Sequence, residues 1–215
     1  MFHAASLDFP SLSTKVIRTT LLLLVLLHQT LFAQLSPSPG PSVVRLSIQA
    51  RSDSFATAAE EYREIWRKEG PRIIAAMEAV SGIRFDEPPA PDTLINVEVY
   101  EGVSYSGSRG LPIDRPMLMR ASYPLETKRA TLVHELGHRL QIGIARNAAV
   151  DEHEVLALWL YDVWVLLWGK QFADEQVVVE RQRRGPYPRA WDIALALSAP
   201  ERAARFRALR DRRPQ

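Results

Sequence analysis

Hydrophobic and polar residues alternate over residues 43–49, where Val44, Leu46 and Ile48 are separated by Arg45, Ser47 and Gln49. A period of two turns one set toward a core and the other toward water, so this segment is expected to be a strand. Residues 94–100 repeat the pattern with Ile95, Val97 and Val99 on one face. Between them, residues 54–80 carry helical spacing, with Pro71 expected to mark a break or the first turn of a second helix. Gly107, Ser108 and Gly110 make residues 105–112 a loop or hairpin connection. Residues 117–123 read as a third strand, either buried or forming an exposed edge to which an extended peptide could add by backbone pairing.

Beyond residue 124 the spacing is helical throughout. The first helix is expected over residues 125–142, ended by Gly143, with Leu132, Val133, Leu136 and Leu140 packing inward. Gly137 inside it costs about 1 kcal/mol relative to alanine, which points to close approach of a neighbouring element. The next helix, residues 152–168, has almost no polar face and is expected to be central. Asp162 interrupts its apolar run and Gly169-Lys170 closes it, which argues against a membrane span. Further helices are expected over residues 172–183, 189–197 and 200–210.

Of the 215 residues, 47% are hydrophobic and 24% charged, enough for one sizeable core, so residues 43–213 are expected to form one catalytic domain. Lys15 and Arg18 precede an apolar run from Leu21 to Leu27, and Ala33 stands at a cleavage point. Residues 1–33 therefore read as a signal peptide or an N-terminal anchor, with export to a periplasmic or extracellular space, and residues 34–42 as a Pro/Ser-rich linker. The chain has no cysteine, so core packing and metal must supply what disulfides would. From Arg181 onward ten arginines face three acids, Asp192, Glu201 and Asp211. That basic end suits contact with an anionic membrane surface; without interleaved aromatics or a recognition module, no nucleic-acid partner is expected.

The chemistry is concentrated in His134-Glu135-Leu136-Gly137-His138. Imidazoles four residues apart on a helix stand one turn above each other and reach one ion, and Glu135 is then placed to take a proton from water at that ion. Zinc needs a third protein ligand. Asp151-Glu152-His153-Glu154 opens the following helix. If Asp151 and Glu154 form a capping box, His153 is left free to ligate; Glu154 and, further on, Glu175 are the alternatives. Glu175 and Glu180 are otherwise expected in salt bridges, and Asp162 in an ion pair or hydrogen bond with Arg129, Arg139 or a backbone amide. Tyr161 is put forward to stabilise a developing oxyanion, with Tyr123 and Tyr187 as further candidates.

On residues 134–138 the chain resembles the zincin metallopeptidases and looks like a small gluzincin-like member. The resemblance implies an α+β fold in which a small mixed sheet packs on the motif helix and a helical region follows. It also implies Zn2+ as cofactor, a peptide or protein substrate, and a third-ligand glutamate that would fall on Glu152 or Glu154. His153 in that place departs from the pattern. The stretch 131–184, with Leu160-Tyr161-Asp162-Val163-Trp164, is similar to bacterial zinc-peptidase-like proteins of uncharacterised function. The rival reading is a zinc-binding scaffold without turnover; Glu135 speaks against it, since a purely structural site needs no base beside it.

Overall fold

The computed structural model describes residues 40–87, 93–106, 115–145 and 149–212. The chain divides into the units Met1–Gly40 and Pro41–Gln215. The expected leader over residues 1–33 and all but the last residues of the linker lie outside the described residues. In the second unit, β1 (Arg45–Ala50) leads through a short 3-10 turn to α1 (Ala56–Ser81), followed by β2 (Leu94–Tyr100) and β3 (Met117–Arg120). Five helices complete it: α2 (Leu125–Leu140), α3 (Glu152–Trp168), α4 (Lys170–Arg181), α5 (Tyr187–Leu195) and α6 (Ala199–Arg210). The α+β class that the resemblance implies is therefore present, as six α-helices and a three-stranded sheet among the described residues.

The sheet differs from the mixed one that the zincin resemblance implies. Its order is β1-β2-β3 and both pairings are parallel, with Ile48 opposite Val97 and Val99 opposite Met119. The reason lies in the connections: α1 carries the chain back across the sheet between β1 and β2, which permits a parallel pair. After β2 the chain doubles back along the far side of β3, where Tyr105 and Leu118 exchange two backbone hydrogen bonds of 2.9 and 2.7 Å. Tyr105 thus covers the outer edge of β3, so β3 is not the open edge considered from the sequence. It also ends at Arg120 rather than at residue 123.

Alternation decides which face of the sheet is dry. Ile48, Ile95, Val97 and Val99 are buried on the face that meets α1, and Met117 and Met119 of β3, whose helix neighbour is α2, are buried with them, while Arg45, Gln49, Leu94 and Asn96 on the other face are exposed. Helix α1 runs unbroken through Pro71, against the expected break. A proline in a helix interior costs about 3 kcal/mol. Tyr62 and Ile65 before it and Ile73, Ile74 and Met77 after it are all buried in one core, and full burial of such side chains contributes about 1.5–3 kcal/mol each. That packing outweighs the lost hydrogen bond. The helix stops at Gly82, whose φ of 65° is left-handed and whose N–H returns to the Glu78 carbonyl at 2.8 Å.

Helix α3 is central, as its apolar sequence requires: it packs on α1, α2, α4, α5 and α6. No helix among the described residues is long and apolar enough to cross a membrane. Asp162 on α3 is ion-paired, but to Arg202 of α6 rather than to Arg129 or Arg139. Arg202 Nε and Nη2 donate to its two oxygens at 2.9 and 2.6 Å. Arg129 is taken by Glu69 and Glu126, and Arg139 by the Arg115 carbonyl. Of the basic C-terminal residues, Arg181 pairs with Asp192 and Arg189 with Glu154, whereas Arg205 and Arg207 are exposed.

Candidate metal centre

Helix α2 is buried almost along its whole length, so the polar groups it carries inward must find partners inside the protein. His134, Glu135 and His138 lie on this buried part, none more than 7% exposed. The four-residue spacing brings His134 Nε2 and His138 Nε2 to 3.2 Å. Two nitrogens on a tetrahedral zinc with bonds of 2.0–2.1 Å would be about 3.3 Å apart, so this pair already has the spacing of two ligands on one ion.

The third imidazole arrives from the next helix. Asp151 is the N-cap of α3 and accepts from His153 N at 2.8 Å, which fixes the first turn with the His153 ring against the motif. The rings of His153 and His138 stand 4.8 Å apart, centroid to centroid, and those of His153 and His134 5.5 Å. One ligand atom from each of the three histidines lies within 4.8 Å of the others. The third imidazole therefore stands somewhat wider than a tetrahedral edge.

Beside each histidine Nδ1 stands a carboxylate: Glu180 Oε1 at 2.7 Å from His134, Asp151 Oδ1 at 3.3 Å from His153 and Glu152 Oε2 at 3.6 Å from His138. The approach of Glu180 is close but off the line of an ideal hydrogen bond, and His134 Nδ1 and Glu180 Oε1 are both shut away from water. A carboxylate as near as those at His134 and His153 favours the proton on Nδ1 and leaves Nε2 with its lone pair, the tautomer a metal needs, whereas Glu152 at 3.6 Å stands beyond hydrogen-bond reach of His138. Burial, then the neighbouring His134 and His153, push the His138 pKa well below its ordinary value. Burial and His134 likewise lower His153 to about 4. Both rings are thus neutral near pH 7, and the donor set fits a zinc ion.

Glu135 adjoins this set and borders the cleft. Burial first, and then Glu180, raise its pKa to about 7, against the opposing pull of His134, Arg183 and Arg139. For Glu180 burial acts upward, but His134, Arg183 and the Trp191 indole hold its carboxyl below the ordinary value. Trp191 Nε1 donates to Glu180 Oε2 at 3.0 Å. The cleft, about 370 Å³, is lined by Tyr105, Ser106, Glu135, His138, His153 and Tyr187 among others. Ser106 Oγ donates to the Glu135 carbonyl at 2.7 Å and so staples the segment after β2 onto the motif helix.

Of the residues singled out from the sequence, His134, Glu135, His138, His153 and Tyr187 are brought together, and Glu154, Glu175 and Tyr161 are not. Glu154 does not complete a capping box; it turns away to Arg189 Nε at 3.0 Å, because one helical residue rotates it about 100° from His153. Glu175 is exposed and accepts from Gln171 at 3.0 Å. Tyr161 lies eight residues beyond His153 on α3, about 12 Å along the axis, and donates to Asp174 at 2.8 Å. Tyr187, at the start of α5, lies beside the histidines: its ring centroid is 4.3 Å from that of His153 and 5.8 Å from that of His134. Burial raises the Tyr187 phenol to about 12, so it stays a hydrogen-bond donor.

Glu180, expected in a surface or inter-helix salt bridge, does pair across helices, with His134, but it is buried there, 2% exposed behind that ring. A signal for this was present. Ala173, Gln176, Val177 and Glu180 follow the 3, 4 and 7 spacing of one helix face, and that face is the buried one. Arg183, just past the end of α4, was also missed; it stands 3.5 Å from Glu180, donates to Thr131 at 3.3 Å, and lies over the Tyr187 ring at 5.3 Å. Comparison with protein-family models, with curated proteins and with solved structures finds no match to this chain.

Proposed function

We propose that this protein is a zinc-dependent peptidase of zincin-like fold, with His134, His138 and His153 as ligands and Glu135 as general base. The observation that carries the reading is the convergence of three imidazoles next to a buried glutamate at the wall of a cleft. Zinc held there would lower the pKa of water and polarise the carbonyl to be attacked. The order of elements, strands before the motif helix and helices after it, agrees with the zincin resemblance.

The chain's own groups then divide the work. Glu135 accepts the proton of the attacking water and passes it to the leaving amine. Its low exposure keeps bulk water from competing for that proton, and a pKa near neutrality lets it do both tasks. Tyr187, still protonated at neutral pH, is the side chain best placed to donate to the developing oxyanion. Glu180 and Asp151 hold the His134 and His153 rings in the ligating tautomer.

Glu135→Gln tests the assignment. The amide keeps the size of the side chain but cannot take a proton, so hydrolysis of a mixed peptide library should fall by about 10²–10⁴-fold while bound zinc, measured by elemental analysis, stays stoichiometric. Undiminished hydrolysis would overturn Glu135 as the base, and a wild-type chain that takes up no zinc would overturn the whole reading.

A further inference from the structure

We infer that Gln141 is the positioning residue for the third ligand, clipping the first turn of α3, and with it His153, to the end of the motif helix. The inference rests on the metal-site reading above but concerns the joint between two helices rather than the ligands. Gln141 is the C-cap of α2, three residues past His138, and is 3% exposed. Its Nε2 donates to the Glu152 carbonyl at 2.8 Å, and its Oε1 accepts from Trp159 Nε1 at 3.0 Å. Both partners belong to α3. They are seven residues apart, hence two turns along one face, and one of them is the residue immediately before His153.

The two helices also meet at Gly137. A Cβ on Gly137 would lie 2.6 Å from Leu156 Cδ1 and 3.2 Å from Trp159 Cη2, so α3 rests directly on the backbone of α2 at that point. Apolar contact at one place fixes how near two helices lie but leaves rotation and sliding about it weakly determined. Gln141 supplies the missing constraint, because two directional bonds at separate points on α3 cannot both survive either motion. What is then held still is the start of α3, where Asp151 caps the helix and orients the His153 ring.

The residue type follows from the partners. One end must donate to a carbonyl and the other accept from an indole N–H, which a primary amide does and neither a carboxylate nor a hydrocarbon can. Glutamate would keep the bond to Trp159 but set an oxygen against the Glu152 carbonyl. Leucine would fill the space and make neither bond.

The test compares Gln141→Leu with Arg202→Met, which breaks the ion pair between α3 and α6 and so loosens α3 at Asp162 while leaving both bonds of Gln141 in place. Three quantities are measured on the full chain: zinc affinity by chelator competition, the visible spectrum of the cobalt-loaded protein, and amide hydrogen exchange over residues 150–156 in the metal-free protein. Gln141→Leu should lose on the order of tenfold or more in zinc affinity, shift the cobalt bands and exchange faster over that segment. Arg202→Met should melt earlier and keep wild-type zinc affinity and cobalt bands. Gln141→Glu, which keeps one of the two bonds, should move in the same direction as leucine and serves if leucine does not fold. Wild-type affinity and spectrum in the Gln141 variants, or an equal loss in Arg202→Met, would reduce Gln141 to a stabilising contact and overturn the inference. If the wild-type chain takes up no zinc, the metal reading falls, and unchanged exchange over residues 150–156 would separately overturn the clip.

Discussion

Replacing Glu180 by glutamine removes one charge and almost no volume, and its effect can be worked out atom by atom. The carboxylate offers two acceptor oxygens to two different donors: Oε1 stands 2.7 Å from His134 Nδ1 and Oε2 accepts from Trp191 Nε1 at 3.0 Å. Glutamine has one oxygen and an NH2 group, so one of those donors must face another donor. If the oxygen stays with Trp191, His134 loses the partner that keeps its proton on Nδ1, and its Nε2 is no longer reliably free for a metal. If the oxygen turns to His134, the Trp191 indole is stranded in a site only 2% exposed. An unsatisfied buried donor costs about 1–3 kcal/mol, and outer partners of metal-binding histidines typically contribute 10–100-fold in affinity. Zinc affinity measured by chelator competition should therefore fall at least tenfold, which is about 1.4 kcal/mol, and the metal-free protein should melt at lower temperature. An affinity within about twofold of wild type, whatever the melting point, would show that Glu180 serves only the ion pair with Arg183 and would refute its role behind His134.

Three other outcomes follow from the same geometry. His153→Ala should abolish tight zinc binding, whereas Glu154→Gln should leave it intact, since Glu154 is engaged with Arg189; isothermal titration of both variants checks this, and the reverse result would make Glu154 the ligand. In the metal-free protein the lowered histidines, His153 and His138, cost stability on acidification, while Glu135, raised to about 7, adds stability as pH falls below that value, so the two contributions are separated by variants. His153 is lowered by burial to about 4 from an unfolded value near 6.5, so its contribution is whole above pH 6.5 and is lost as pH falls toward 4, by ~3 kcal/mol, a slope that His153→Ala should flatten in chemical denaturation at several pH values. Asp162→Ala leaves the nearly buried Arg202 guanidinium without its carboxylate and should cost about 2–4 kcal/mol in urea unfolding, less than a fully buried pair because the Asp162 side chain is 25% exposed; a loss below 0.5 kcal/mol would mean that the pair contributes little.

What could be read along the chain was whatever depends on neighbours in sequence. The stacking of His134 over His138 is a property of helical rise and pitch, and it holds whichever surface the helix is packed against. Period-two alternation named the strands and their inner faces. The apolar girth of α3 made it central, and Asp151 announced the helix start that presents His153. Tertiary packing decided the remainder. Glu180 comes to His134 from 46 residues away because α4 lies against α2, while Glu175, five residues earlier on α4, points to solvent. Tyr187 rather than Tyr161 borders the site because the turn through Gly185 sets the start of α5 over the histidines. Asp162 found Arg202 rather than a nearer arginine for the same cause. A helix dictates the spacing of its own side chains through local bond geometry, but a carboxylate deep in a protein takes its partner from whichever helix the burial of apolar surface has brought alongside, and that choice is made by the whole chain at once.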